Sequence, residues 1–170
     1  MKTLKNVFTL LMICSIAVGC GGEKKKEEDA SSKVKIKSAE TSKSDDNVAN
    51  IVITADDLMK FNTNEIRVKA GQKVKLTLRH LGKLDKNVMG HNVVILNLGA
   101  DLGAFAASAA TQKENDYIPV GTQDVLVNTK MIGGGETTSI EFTAPAAGVY
   151  DFLCSFPAHF ALMNGKFIVE

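Results

Sequence analysis

From residue 51 to residue 169 the chain is divided into short stretches of alternating apolar and polar residues, and a rhythm of two restricts it to β-sheet with one face buried. The stretches are 51–54, 65–68, 73–78, 92–96, 124–127, 138–142, 149–154 and 166–169. Turn formers part them: Ala70-Gly71, Gly133-Gly134-Gly135 and Ala146-Ala147-Gly148. Many short strands so spaced predict an all-β sandwich or barrel. One stretch breaks the rhythm. Residues 99–111 are rich in Ala and Leu and poor in β-branched residues, so one helix is expected outside the sheets. A chain of 170 residues suits one domain of ordinary size. With no tryptophan, its core falls to Val, Ile, Leu, Ala and eight Phe.

The first fifty residues have a different character. Lys2 and Lys5 precede an uncharged run over 7–18, shorter than the roughly 20 apolar residues a bilayer span needs. Residues 1–19 therefore read as a signal peptide. The next residue closes Ala17-Val18-Gly19-Cys20, which resembles the bacterial lipobox, so Cys20 is expected to become the lipidated first residue of an exported, membrane-anchored lipoprotein facing the periplasm or the cell exterior. Residues 20–50 are dominated by Lys, Glu, Asp and Ser, with Val34, Ile36 and Val48 the only large apolar side chains. They bury too little to offset the entropy of ordering, so they read as a polar tether to a folded domain at 51–170. The net charge of +1 gives no basis for a nucleic-acid partner.

Removal of the leader discards Cys14 and leaves Cys154 as the one thiol of the folded part, a residue that needs explaining in an oxidising compartment. It opens the run Cys154-Ser155-Phe156-Pro157-Ala158-His159-Phe160-Ala161-Leu162-Met163, which places a thiolate, an imidazole and a thioether on one connection between strands. A loop so short can wrap all three around one ion, because metal bonds to nitrogen and sulfur are only about 2 Å long. Thiolate, imidazole and a weak thioether suit copper, whereas zinc has little use for Met163. A second imidazole must come from His80 or His91. Val88-Met89-Gly90-His91-Asn92 leads directly into an apolar strand, which favours His91; His80 precedes a Leu81-Gly82 turn and reads as a packed or hydrogen-bonded core histidine.

At Met59-Lys60-Phe61-Asn62-Thr63-Asn64, at Lys86-Asn87-Val88-Met89-Gly90-His91-Asn92 and over Cys154 to Met163 the chain resembles the azurins, blue copper proteins of the cupredoxin type. The similarity covers roughly residues 57–170. It implies a Greek-key β-sandwich in which the Ala-rich insertion is a helical flap. It further implies one type 1 copper with His91, Cys154 and His159 in the equatorial plane, Met163 axial, and the Gly90 carbonyl opposite. Asn92 would tie the two ligand loops together and give its backbone N–H to the Cys154 sulfur. Pro157 has no N–H, so Phe156 would supply the other donor. Such a protein is an electron carrier, not an enzyme.

In the azurin pattern the edge of the loop histidine, here His159, reaches the surface among apolar residues. Leu84, Val88, Met89, Phe156, Pro157, Ala158, Phe160, Ala161 and Leu162 are the candidates for that docking patch. The partners implied are c-type cytochromes, nitrite reductases, peroxidases or oxidases. Two other chemistries compete: copper carriage or storage with the same ligands, and a thiol enzyme with Cys154 as nucleophile and His159 or His91 as base. The chain also departs from the pattern. The cysteines of the family's N-terminal disulfide are missing and Val93 stands where a buried tryptophan is usual. Ala158 replaces a glycine, and Phe160 replaces a small polar residue.

Overall fold

An alternating segment becomes a strand of a sandwich when a second sheet covers its apolar set. Strand β3 (Lys73–His80) buries Val74, Leu76, Leu78 and His80 and leaves Lys73, Lys75 and Arg79 exposed. Strands β2 (Glu65–Val68) and β8 (Asn164–Val169) do the same with Ile66 and Val68, and with Gly165, Phe167 and Val169. The computed structural model describes residues 47–170. They carry eight strands, completed by β1 (Val48–Ala55), β4 (Val94–Leu96), β5 (Val125–Asn128), β6 (Thr137–Thr143) and β7 (Gly148–Leu153). One sheet has the order β1-β3-β6 and the other β2-β8-β7-β4-β5, so the chain crosses repeatedly between layers in the Greek-key manner expected. The pairs β1·β3 and β2·β8 are parallel.

Strand β1 begins at Val48, which pairs with Lys73. The folded part therefore includes Val48, Ala49 and Asn50, three residues that composition had assigned to the tether. Polar composition hides them because their stabilisation comes from ladder hydrogen bonds to β3. The signal peptide, Cys20 and the remainder of the expected tether lie outside the described residues.

The main core fills the space between the sheets with Ile53, Leu76, Leu78, Ile95, Phe152, Phe167 and their neighbours. A second, smaller core lies on the outer face of β4 and β7, where Val94, Leu96 and Leu153 meet Phe105, Ala106 and Ala109. Those three come from the expected helix, α2 (Leu102–Ala109), whose N-cap Asp101 accepts the Ala104 N–H at 2.8 Å. This flap explains why residues 93–96 read as a continuous apolar run: β4 is covered on both faces. A four-residue helix, α1 (Lys86–Met89), was not anticipated; Asp85 caps it by accepting the Asn87 N–H at 2.8 Å.

Close approach dictates one glycine of the sandwich. A Cβ on Gly165 would lie 2.3 Å from the Asn64 carbonyl oxygen and 2.5 Å from the Phe152 ring, so β8 threads between two neighbours with no room for a side chain.

Candidate metal centre

The alternation of β7 turns Tyr150 and Phe152 into the main core, and Cys154, one step past the strand, follows them inward. From there the chain makes a closed loop. The Cys154 N–H donates to the Met163 carbonyl at 2.9 Å, and the Met163 N–H donates to the His159 carbonyl at 2.8 Å. A 3₁₀ turn, His159–Ala161, brings His159 back over the cysteine. From the other side comes His91, held by paired backbone bonds with Ile132, both 2.9 Å. It leads into β4, which pairs Val94 with Leu153 at the end of β7. Neighbouring strands thus deliver two ligand loops to one end of the sandwich.

Among the described residues His91, Cys154 and His159 form a group whose donor atoms all lie within 4.8 Å of one another. The Cys154 Sγ is 3.8 Å from His91 Nδ1 and 3.7 Å from His159 Nδ1. Donors bonded to one ion at about 2.0 Å for nitrogen and about 2.3 Å for sulfur, spread by about 120°, sit about 3.7 Å apart. The donor set therefore fits a metal ion held in a His₂Cys plane. The Gly90 carbonyl oxygen is 3.8 Å from the same sulfur. Met163 is fully buried in the core that holds Cys154, with its backbone bonded to that residue.

Hydrogen bonds fix which nitrogen faces inward. His91 Nε2 donates to the Asp56 carbonyl at 2.8 Å, which leaves Nδ1 bare toward the sulfur. His159 Nε2 has no protein partner, and among the described residues no fully buried side-chain nitrogen or oxygen lacks one, so this edge reaches the surface. His80 is the core histidine its sequence context suggested. Its Nδ1 accepts the Gly82 N–H at 3.0 Å, its Nε2 donates to the Met89 carbonyl at 2.8 Å, and its ring lies 4.4 Å from that of His91.

Burial sets the protonation states. It pushes the Cys154 thiol up to about 12, against the pull of the Asn92 and Phe156 backbone N–H groups that face the sulfur. It pushes His159 down to about 4, helped by the neighbouring His91, and it lowers His91, partly offset by the Asp56 carbonyl. At neutral pH both imidazoles thus offer a lone pair. The cysteine is fully buried and protonated, the opposite of a reactive thiol, and a metal ion is the partner that would make it a thiolate.

Around this set, Asn92 joins the loops through Ser155, and Phe156 packs its ring 4.5 Å from that of His159 and 5.2 Å from that of Tyr117. Pro157 is half-buried beside them. A Cβ on Gly90 would lie 2.4 Å from the Lys86 carbonyl, 2.9 Å from Met131 Sδ and 3.0 Å from the Phe156 ring, so the two loops touch through this glycine.

Of the expected docking residues, Leu84, Val88, Ala158, Ala161 and Leu162 are exposed, and Met89 is half-buried. Phe160 is half-buried too, and it packs against the smaller core that holds Leu153 and the α2 residues. Sequence reasoning missed Asp56, Ser155, Asp116, Tyr117 and Met131. Asp56 acts through a carbonyl, which carries no sequence signal. Asp116 accepts the Met131 N–H at 3.2 Å and, through its own carbonyl, the Asn92 amide at 3.3 Å, from a backbone of φ 50° that does invite Asp.

Residues 47–170 match the family of copper binding proteins described as the plastocyanin/azurin family. The chain belongs to this family. It is 44% identical over 117 residues to azurin-1 of Alcaligenes xylosoxydans xylosoxydans, covering 66% of this chain and 91% of that protein. It is 39% identical over 117 residues to outer membrane protein H.8 of Neisseria gonorrhoeae, covering 67% of this chain and 63% of that one. Among solved structures, auracyanin from Roseiflexus castenholzii superposes with a TM-score of 0.65 at 32% identity, over 72% of this chain and 97% of the other. Auracyanin A of Chloroflexus aurantiacus, a blue copper protein, gives 0.66 at 28% identity, over 72% and 99%. The azurin resemblance and the cupredoxin sandwich are thereby established, with copper as the cofactor and electron transfer, not catalysis, as the work of the family.

Proposed function

We propose that the protein is a tethered one-electron carrier whose copper would be held by His91, Cys154 and His159, with Met163 and the Gly90 carbonyl completing the donor set. The observation that carries this reading is the buried Cys154 sulfur placed 3.8 and 3.7 Å from two inward-facing imidazole nitrogens. Copper bound there would alternate between Cu(I) and Cu(II), taking up and giving up one electron. The chain's own contribution is to keep the donors in one arrangement. His91 is fixed by Asp56, Cys154 by the strand and by the facing N–H groups of Asn92 and Phe156, and both loops by Asn92 and Ser155.

His159 is the donor residue with an edge at the surface, so partners dock over it on Leu84, Val88, Met89, Ala158, Ala161 and Leu162, with part of Phe156 and Pro157. A small apolar face favours brief encounters with redox proteins such as c-type cytochromes, nitrite reductases, peroxidases or oxidases. Lipidation of Cys20 would hold the carrier at a membrane facing the periplasm or cell exterior, with residues between Cys20 and Asn47 as its tether. The likeness to an outer membrane protein of Neisseria supports that placement.

The test is direct. Cu(II) added to the full-length protein should give an intense blue thiolate-to-copper band that disappears in Cys154→Ser. A colourless protein that prefers zinc would overturn the reading. A blue protein that exchanges electrons with a c-type cytochrome no faster than free copper does would point to carriage or storage instead.

A further inference from the structure

The ligand loop is anchored in two separate cores. Phe156 and Met163 pack with Cys154 in the core between the sheets, whereas Phe160, half-buried, packs against the smaller cluster that Val94, Leu96 and Leu153 form with the flap residues Phe105, Ala106 and Ala109. Cys154 and Leu153 are consecutive and point to opposite faces, so β7 itself divides the two cores. His159 sits between these anchors. Its predecessor Ala158 has φ 67° and ψ −11°, a left-handed conformation that an alanine keeps only when its surroundings hold it there. The Phe160 carbonyl also accepts the Asn164 side-chain amide at 2.8 Å, which fixes the backbone next to the histidine.

We propose that Phe160 is a positioning residue. It clamps the His159 turn to the flap helix, so that α2, which contributes no donor atom, sets the orientation of the imidazole. A large ring at this place lets the flap act on the donor set; a small polar residue has nothing to insert into that core. The idea rests on the copper reading above, because its consequence is felt at His159.

Phe160→Ser and Phe160→Leu would be compared in the full-length protein, with Phe105→Ala as the same clamp broken from the helix side. In the metal-free form, amide hydrogen exchange across 155–162 should quicken in Phe160→Ser and Phe105→Ala and be restored in Phe160→Leu. In the copper form, release of the metal to a chelator should accelerate about tenfold, the equivalent of about 1.4 kcal/mol. The blue band and the reduction potential should move with it, and Phe160→Leu should recover them. Loss of thermal stability with exchange, metal release and potential unchanged would overturn the clamp and leave Phe160 an ordinary packing residue. Failure of the wild-type protein to take up copper would instead remove the function itself, so the two failures are told apart by the wild-type control.

Discussion

Asn92 and Ser155 bind each other at three points: Asn92 Oδ1 accepts the Ser155 N–H at 2.9 Å and lies 3.2 Å from Ser155 Oγ, while Asn92 Nδ2 donates to that Oγ at 2.8 Å. Both residues are buried, and each directly follows a donor residue, Asn92 after His91 and Ser155 after Cys154. Asn92→Ala leaves the Ser155 N–H without a partner inside the protein. The expected loss of stability is about 2 kcal/mol, within the range for an orphaned buried donor. Denaturant unfolding of the metal-free protein measures it, and a change well below 1 kcal/mol would mean that the loops are held by packing alone.

Copper uptake should release close to one proton near neutral pH. The thiol, pushed up to about 12, must give its proton to become a ligand. Both imidazoles are already neutral because burial lowers them, His159 to about 4. At pH 6 the count should stay below the figure of about 2.5 that two ordinary histidines would give, because His159 stays neutral there. Calorimetry in buffers of different ionisation enthalpy gives the number.

The same depression makes the metal-free fold sensitive to mild acid. The unfolded chain binds a proton at His159 near the ordinary value of 6.5, while the folded chain resists until about 4. Between those values the unfolded state carries the extra proton, so stability falls as pH drops from 6.5 toward 4 and is unaffected by this group above 7. Denaturant midpoints of metal-free protein should decline through that window. A flat profile would show that His159 is free to charge in place.

Ala158→Gly should raise stability modestly. A left-handed alanine costs roughly 1–2 kcal/mol, and glycine removes that strain at an entropic cost of about 0.5–1 kcal/mol. A gain of up to about 1 kcal/mol in the metal-free protein is expected, with the blue band retained. A loss of stability would show that the turn is not held at the strained angle.

Much of the fold was legible because strands announce themselves locally. The eight alternating segments correspond to β1 through β8, and the Ala-rich stretch to α2, since periodicity and propensity are properties of neighbours in the chain. Val48 to Asn50 were misassigned for the reason that hides many strand ends: pairing with a distant segment, not composition, orders them. Short α1 escaped notice because four residues carry too little pattern.

The clustered donors Cys154 and His159 were equally legible, because they lie five residues apart on one loop, and the nearby Met163, proposed as a further ligand, made copper the metal to expect. Neighbouring residues along the chain thus specify the strands and the cysteine and histidine that can bind a metal. Tertiary structure decided how they meet. The pairing of β4 with β7 brings His91 to the cysteine, the Asp56 carbonyl chooses which imidazole nitrogen faces it, and two cores on opposite faces of β7 divide Phe156 from Phe160. These are contacts between residues far apart in the chain, often made by backbone atoms that every residue shares, so no local pattern can encode them.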